Sequence, residues 1–229
     1  MYQEPSMCRP HAYYFFAHQL PVLETADGLL NAAIAIAMHE LPGVEPPLVR
    51  GELSAIAQRI RRRVRGRQPQ ALLAHLHDVL FEEEGFVGNS EDYYSSLNSY
   101  IPSVMESRRG IPITLGLIYK VVAEMVGLPV EGVNSPGHFL VRVSMPDGWM
   151  IVDPYYRGGV LTESEAFERI EFATSRRLPR LPRYLKTATH AEWISRMLLN
   201  LQHVFASSEC QGDLAAMGEL QSLLDLTVC

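Results

Sequence analysis

The chain reads as a mixed helix-and-strand fold, with helices on either side of one antiparallel strand pair, and three observations predict it. Apolar residues recur at three- and four-residue spacing in residues 51–67, between two further stretches that read as helices. A helix at 113–126 is apolar on nearly every side, as a core helix must be. Just after it, "HFLVRVSM" and "GWMIVDP" read as strands joined at "PDG", a hairpin signal in which Gly148 supplies the unusual backbone angle.

In chain order, "ETADGLLNAAIAIAMHE" predicts a buried helix over 24–40 with Thr25 or Asp27 as cap, stopped before the connector "LPGVEPP". In "GELSAIAQRIRRRVRGR" the residues Leu53, Ile56, Ala57, Ile60 and Val64 share one face, which leaves the arginines of 59–67 on the other, as a solvated face or a site for an acidic partner. "PQALLAHLHDVLFEEEGF" predicts another helix, with Pro69 early and Gly85 at its end. After a polar, turn-rich stretch, Asn98 or Ser99 is expected to cap a short helix carrying Ile101, Val104 and Met105, with Gly110 as its stop. Pro112 then falls in the first turn of the core helix, where a missing N–H does no harm. Beyond the strands, "TESEAFERI" opens with a Thr-x-x-Glu capping box, and "HAEWISRMLLNLQHVFASSE" with "GDLAAMGELQSLLDLTV" predicts a helical hairpin.

A chain of 229 residues with 47% apolar content buries a real core, as one domain or as a core with helical additions. A net charge of −6 argues against broad nucleic-acid binding, which needs a concentrated positive surface, although a local basic patch stays open. No secretory pattern and no bilayer-length apolar run is read, so a cytoplasmic location off the membrane is expected. Cys8, Cys210 and Cys229 are odd in number and widely spaced, which fits reduced thiols. His75 and His77, two apart on a helix, face apart, and no compact ligand set is found, so neither metal nor cofactor is expected.

The chemistry concentrates around His138, at the start of one strand, and Asp153, at the end of the next. A hairpin at "PDG" brings them side by side, and a carboxylate on the imidazole Nδ1–H would leave Nε2 free to move a proton. A nucleophile for such a pair belongs at the head of the core helix, where free N–H groups and the macrodipole lower a thiol's pKa. That first turn reads Pro112, Ile113, Thr114. Arg108 and Arg109 just before it suit a carboxylate or phosphate, or else an ion pair with Glu106, Asp153 or another local acid. Tyr93, Tyr94 and Asn98 either line the same cleft or pack the loop onto the core.

Taken together, "GNSEDYYSSLNSYIPSVMESRRGIPITLGLIYKVVAEMVGLP", "SPGHFLVRV" and "IVDP" resemble the transglutaminase-like superfamily, and more closely its SirB-type branch, which also appears beside an F-box in some eukaryotic proteins. The resemblance implies an α+β, papain-like core in which a helix packs on a small antiparallel sheet and carries a cysteine nucleophile at its N-terminus. His138 and Asp153 fall on the family's His and Asp positions. Counted back from "GLP" without gaps, the cysteine position lands on Pro112; with a small shift it lands on Thr114. The tail is similar to the tetratricopeptide-like pair that follows this core, with Asn200 and Gly212-Asp213 in place.

These readings divide the chain into an N-terminal helical subdomain (1–84), the transglutaminase-like core (85–185) and a helical hairpin (186–229). The expected function is a non-catalytic binding or regulatory module for a peptide, protein or small anionic ligand, its site drawn from His138, Asp153, Thr114, Arg108, Arg109, Tyr93 and Asn98. The alternative is an amide hydrolase or acyl transferase using His138 and Asp153 with Thr114 or a bound water. A third reading is a structural platform whose helical tail recruits partners.

Overall fold

The computed structural model describes residues 4–66 and 68–228 and has an α+β fold. Arg67, in the arginine run, and Cys229 lie outside the described residues. Helix α1 (Pro10–Gln19) precedes α2 (Ala26–Glu40), which begins where the Thr25 side chain accepts a hydrogen bond from Gly28 N–H. In α3 (Pro46–Arg63) the residues Leu53, Ile56, Ala57 and Ile60 are buried. Its arginines are not merely solvated. Arg59 pairs with Glu84 at 2.5 Å, Arg63 with Glu83 at 2.5 Å and Asp78 at 2.9 Å, and Arg61 donates to the Met125 carbonyl. Asp78 and Glu83 belong to the π-helical turn that extends α4 (Pro69–His77) over 78–83, Glu84 caps that turn, and Gly85 (φ +76°) ends the run.

A two-residue parallel bridge joins β1 (Val87–Gly88) to β2 (Arg109–Gly110), with α5 (Ile101–Ser107) between them. Asn98 and Ser99 do not cap α5. They sit in a preceding 3₁₀ turn, Tyr100 is the N-cap without a side-chain bond, and Arg108 in the left-handed region (φ 61°), rather than Gly110, turns the chain out of the helix. The central helix α6 (Pro112–Val126) has Pro112 in its first turn, as its sequence predicts, and ends at Gly127 (φ +95°).

Five strands follow: β3 (Val130–Asn134), β4 (Phe139–Met145), β5 (Gly148–Asp153), β6 (Gly159–Leu161) and, after α7 (Glu163–Thr174), β7 (Thr187–Ala188). They form one antiparallel sheet in the order β6-β5-β4-β3-β7. The "PDG" turn pairs Met145 with Gly148 (φ +127°). Val141, Val143 and Val152 join α6 in the main core, whereas Val133 and Leu140 meet Ala166 of α7 in a smaller cluster.

The chain closes with α8 (His190–Ser207) and α9 (Gln211–Val228). Trp193 of α8 is fully buried, its ring against Phe139 and its indole N–H donating to the Ile113 carbonyl at 3.3 Å. The Glu219 carboxylate on α9 accepts from the backbone N–H groups of Ser6, Met7 and Cys8, and His39 of α2 meets Asp213 at 3.0 Å. One apolar cluster runs from Cys8 to Leu224, through both helical ends and the centre.

Candidate functional site

Asp153 ends β5 and is fully buried, and each of its carboxylate oxygens is used. Oδ2 lies 3.0 Å from His138 Nε2 and 3.7 Å from Arg169 Nε, while Oδ1 accepts from Tyr155 N–H at 3.1 Å. His138 stands one residue before β4, not within it, so its ring reaches the carboxylate with the distal nitrogen. The sequence predicts Nδ1 in that place. With Nε2 committed, Nδ1 has no hydrogen-bond partner among the described residues.

Two glycines allow this crowding. Gly137 (φ +70°) lies where a Cβ would come within 2.9 Å of Thr174, so the loop carrying His138 presses on the end of α7. At Gly88 a Cβ would fall 2.4 Å from the Tyr155 ring, so the β1–β2 bridge lies flush on that ring.

The result is an open cleft of about 730 Å³. Tyr155 and Tyr156 meet His138 on one side, with ring centroids at 5.9 and 6.1 Å. Tyr93 and Tyr94 form a second wall, edge to face with each other, and Ser90 and Pro112 also line the space. The far wall is the C-terminal stripe of α7: Arg169, Phe172, Ala173 and Ser175. Burial raises the phenol pKa values of Tyr93 and Tyr155, so both remain protonated hydrogen-bond donors at neutral pH. On the rims, Tyr94 is 80% and Phe172 75% exposed.

The structure therefore brings together His138, Asp153, Tyr93 and Tyr94, and the cleft contains Pro112 at the head of α6. Thr114 is fully buried outside the cleft lining, and its hydroxyl has no hydrogen-bond partner among the described residues. Arg108 and Arg109 are not brought to the cleft either. Arg108 pairs with Glu84 at 2.7 Å, donates to the Met105 carbonyl and lies over the Phe86 ring, while Arg109 pairs with Glu91 at 3.0 Å. The acids that take them are thus other local acids, Glu84 and Glu91, rather than Glu106 or Asp153. Asn98 is buried beneath the tyrosine loop, donating to the Asp92 and Tyr93 carbonyls and accepting from Asn89, which makes it a positioning residue.

Sequence reasoning missed Tyr155, Tyr156, Arg169 and Phe172. A signal was present in α7: Ala166 and Ile170 mark the buried stripe, which puts Arg169, Phe172 and Ala173 on a neighbouring stripe at helical spacing. Among the described residues no group of three or more His, Cys, Asp or Glu is arranged to hold a metal ion, and no helix is long and apolar enough to cross a membrane.

A central helix against an antiparallel sheet, with a His–Asp pair facing the helix head across a cleft, defines the class: an α+β protein with a transglutaminase-like core. A family model described as the transglutaminase-like superfamily matches residues 48–199, and the chain belongs to that superfamily. It is similar to a UPF0162 protein of Xylella fastidiosa (strain 9a5c), 34% identical over 184 residues, 79% of this chain and 66% of that protein. A UPF0162 protein of Pseudomonas aeruginosa is 28% identical over 204 residues, 86% of this chain and 72% of the relative. A shorter stretch, 33% of this chain, is 47% identical to 12% of mouse F-box only protein 21. The chain thus spans 66% of the length of the Xylella relative. No solved structure matches it significantly.

Proposed function

We propose that this chain is a SirB-type, cytoplasmic binding module whose cleft takes a peptide or protein segment in a regulatory or adaptor role, without cysteine chemistry. The observation that carries this reading is the open, tyrosine-walled cleft with an exposed ring on either rim, at whose helix head stands Pro112 instead of a nucleophile. A pyrrolidine ring cannot attack a carbonyl, whereas stacked and edge-on aromatic rings hold peptide groups at low entropic cost. The tail pair, with Asn200 and Gly212-Asp213, supports a tetratricopeptide-like hairpin following a core at 85–185 and a helical subdomain at 1–84.

The His138–Asp153 pair favours a second reading, in which Nδ1 of His138 accepts a proton from a bound water and the cleft hydrolyses an amide. One experiment separates the two. A phage-displayed random peptide library is selected on the purified chain and, in parallel, on Tyr94→Asp and Phe172→Asp. Peptides enriched on the wild type but on neither variant are expected. Amide turnover that disappears in His138→Ala would replace the binding reading with the enzyme reading.

A further inference from the structure

Within the peptide-binding reading just proposed, we infer that the cleft selects a carboxylate, and that Arg169 is the residue that selects it. Arg169 is the one arginine or lysine among the cleft-lining residues, and no aspartate or glutamate lines the cleft with it. Its guanidinium is held by two contacts: the plane lies over the Tyr156 ring at 3.9 Å, and Nε lies 3.7 Å from Asp153 Oδ2. Asp153 is a poor counter-ion for it. That carboxylate is fully buried, and it is committed at shorter range to His138 and to Tyr155 N–H. No hydrogen bond from the Arg169 guanidinium is found among the described residues; its charge neighbours are Asp153, at 3.7 Å, and Glu165 one turn earlier on α7, whose carboxylate is already bonded to Thr162. A guanidinium fixed by stacking, with two parallel N–H groups to offer, matches the two oxygens of a carboxylate in a planar, bidentate pair.

The contrast with other arginines of the fold sharpens the assignment. Arg59, Arg63, Arg108 and Arg109 each have a carboxylate at 3.0 Å or less, so their charge is already answered. The cleft is also far larger than a carboxylate alone, and its rims at Tyr94 and Phe172 are apolar. The ligand's chemistry is therefore a carboxylate flanked by apolar side chains. Such a group comes either from a peptide's C-terminus or from an acidic side chain within a segment.

Three pentapeptides carrying an uncharged BODIPY dye on the N-terminus test this by polarisation: Ala-Phe-Leu-Ala-Glu with an amidated C-terminus, Ala-Phe-Leu-Ala-Gln amidated, and Ala-Phe-Leu-Ala-Gln with a free carboxylate. At least one carboxylate probe is expected to bind about tenfold more tightly than the neutral one, the size of a charge-assisted hydrogen-bond pair. Which of the two does so identifies the source. In Arg169→Gln that preference should vanish while neutral-probe binding persists, and Arg169→Lys should keep only part of it because an ammonium lacks the fork. Unchanged thermal unfolding of both variants excludes loss of fold as the cause. Equal binding of all three probes to the wild type, or a preference that survives Arg169→Gln, overturns the carboxylate assignment and leaves the peptide reading standing. Binding of none of them at millimolar concentration overturns both.

Discussion

At the scale of single residues, the cleft turns on which side chain of the first turn of α6 reaches it. The family's nucleophile position falls on Pro112 or on Thr114 depending on a two-residue shift, and sequence alone does not choose between them. Both are buried, but Pro112 lines the cleft with His138 and Thr114 does not, which favours Pro112. A thiol at Pro112→Cys should then be reached by reagent through the open cleft, close to free helix N–H groups, with its pKa pulled below the roughly 8.5 of an ordinary thiol. Alkylation against pH checks this. Pro112→Cys is expected to react about tenfold faster near pH 7 than exposed Cys210, and Thr114→Cys more slowly than Cys210 because no reagent reaches it. The reverse order would restore Thr114 to the nucleophile's place. His138 and Asp153 were legible because a hairpin turn fixes which strand ends meet. Their partners Tyr155, Tyr156 and Arg169 were not, since a tight turn and an adjacent helix bring them in and no periodicity within the strands marks them.

At the scale of elements, the readable pieces were those with a clear period or a punctuating residue. Thr25 capped α2, the Thr162–Glu165 box opened α7 with both of its bonds made, and Gly148 took the backbone angle assigned to it. Strand β3 was missed because Val-Glu-Gly-Val-Asn has a glycine where a strand would carry a side chain. The structure explains that glycine. A Cβ on Gly132 would stand 2.5 Å from the Trp193 ring and 2.8 Å from Phe139, so the strand is bare where α8 inserts its tryptophan. Short β6 and β7 carry too few residues to show alternation at all, and both depend on neighbours for pairing. Gly132→Ala is accordingly expected to cost about 1–3 kcal/mol through overpacking, against a few tenths for an exposed strand glycine. Urea unfolding monitored by the near-ultraviolet signal of Trp193 measures it. A neutral result would mean that α8 slides on the sheet without penalty.

At the scale of the whole molecule, the two ends of the chain are clasped and the centre is tied by buried polar joints. Glu219 is pushed up by desolvation but pulled further down by hydrogen bonds from Ser6, Cys8 and Met7, so the clasp holds a carboxylate in its charged form. Beside it, burial and the Glu219 charge raise the Cys8 thiol to about 12, which leaves it inert. The joint between α4 and α6 is of the opposite kind. His77 Nε2 meets the Tyr119 hydroxyl at 2.8 Å, and burial lowers the imidazole pKa to about 4. In the unfolded chain the same ring titrates near 6.5. Above about pH 6.5 it is neutral in both states and its contribution is fully present; as pH falls toward about 4, only the unfolded chain takes up the proton, and stability is lost. The full difference is worth about 3 kcal/mol. Glu219, held below the usual carboxylate range, gives up its own contribution only below about pH 4.3, where unfolded glutamates protonate. The interval from about pH 6.5 to about pH 5 thus isolates the histidine from the clasp. His77→Phe combined with Tyr119→Phe removes both members of the hydrogen bond and leaves no orphaned polar atom. Urea midpoints of the wild type should fall across that interval, and those of the double variant should fall distinctly less. If the two slopes coincide, the acid sensitivity of this fold lies elsewhere than in the joint between its helical end and its central helix.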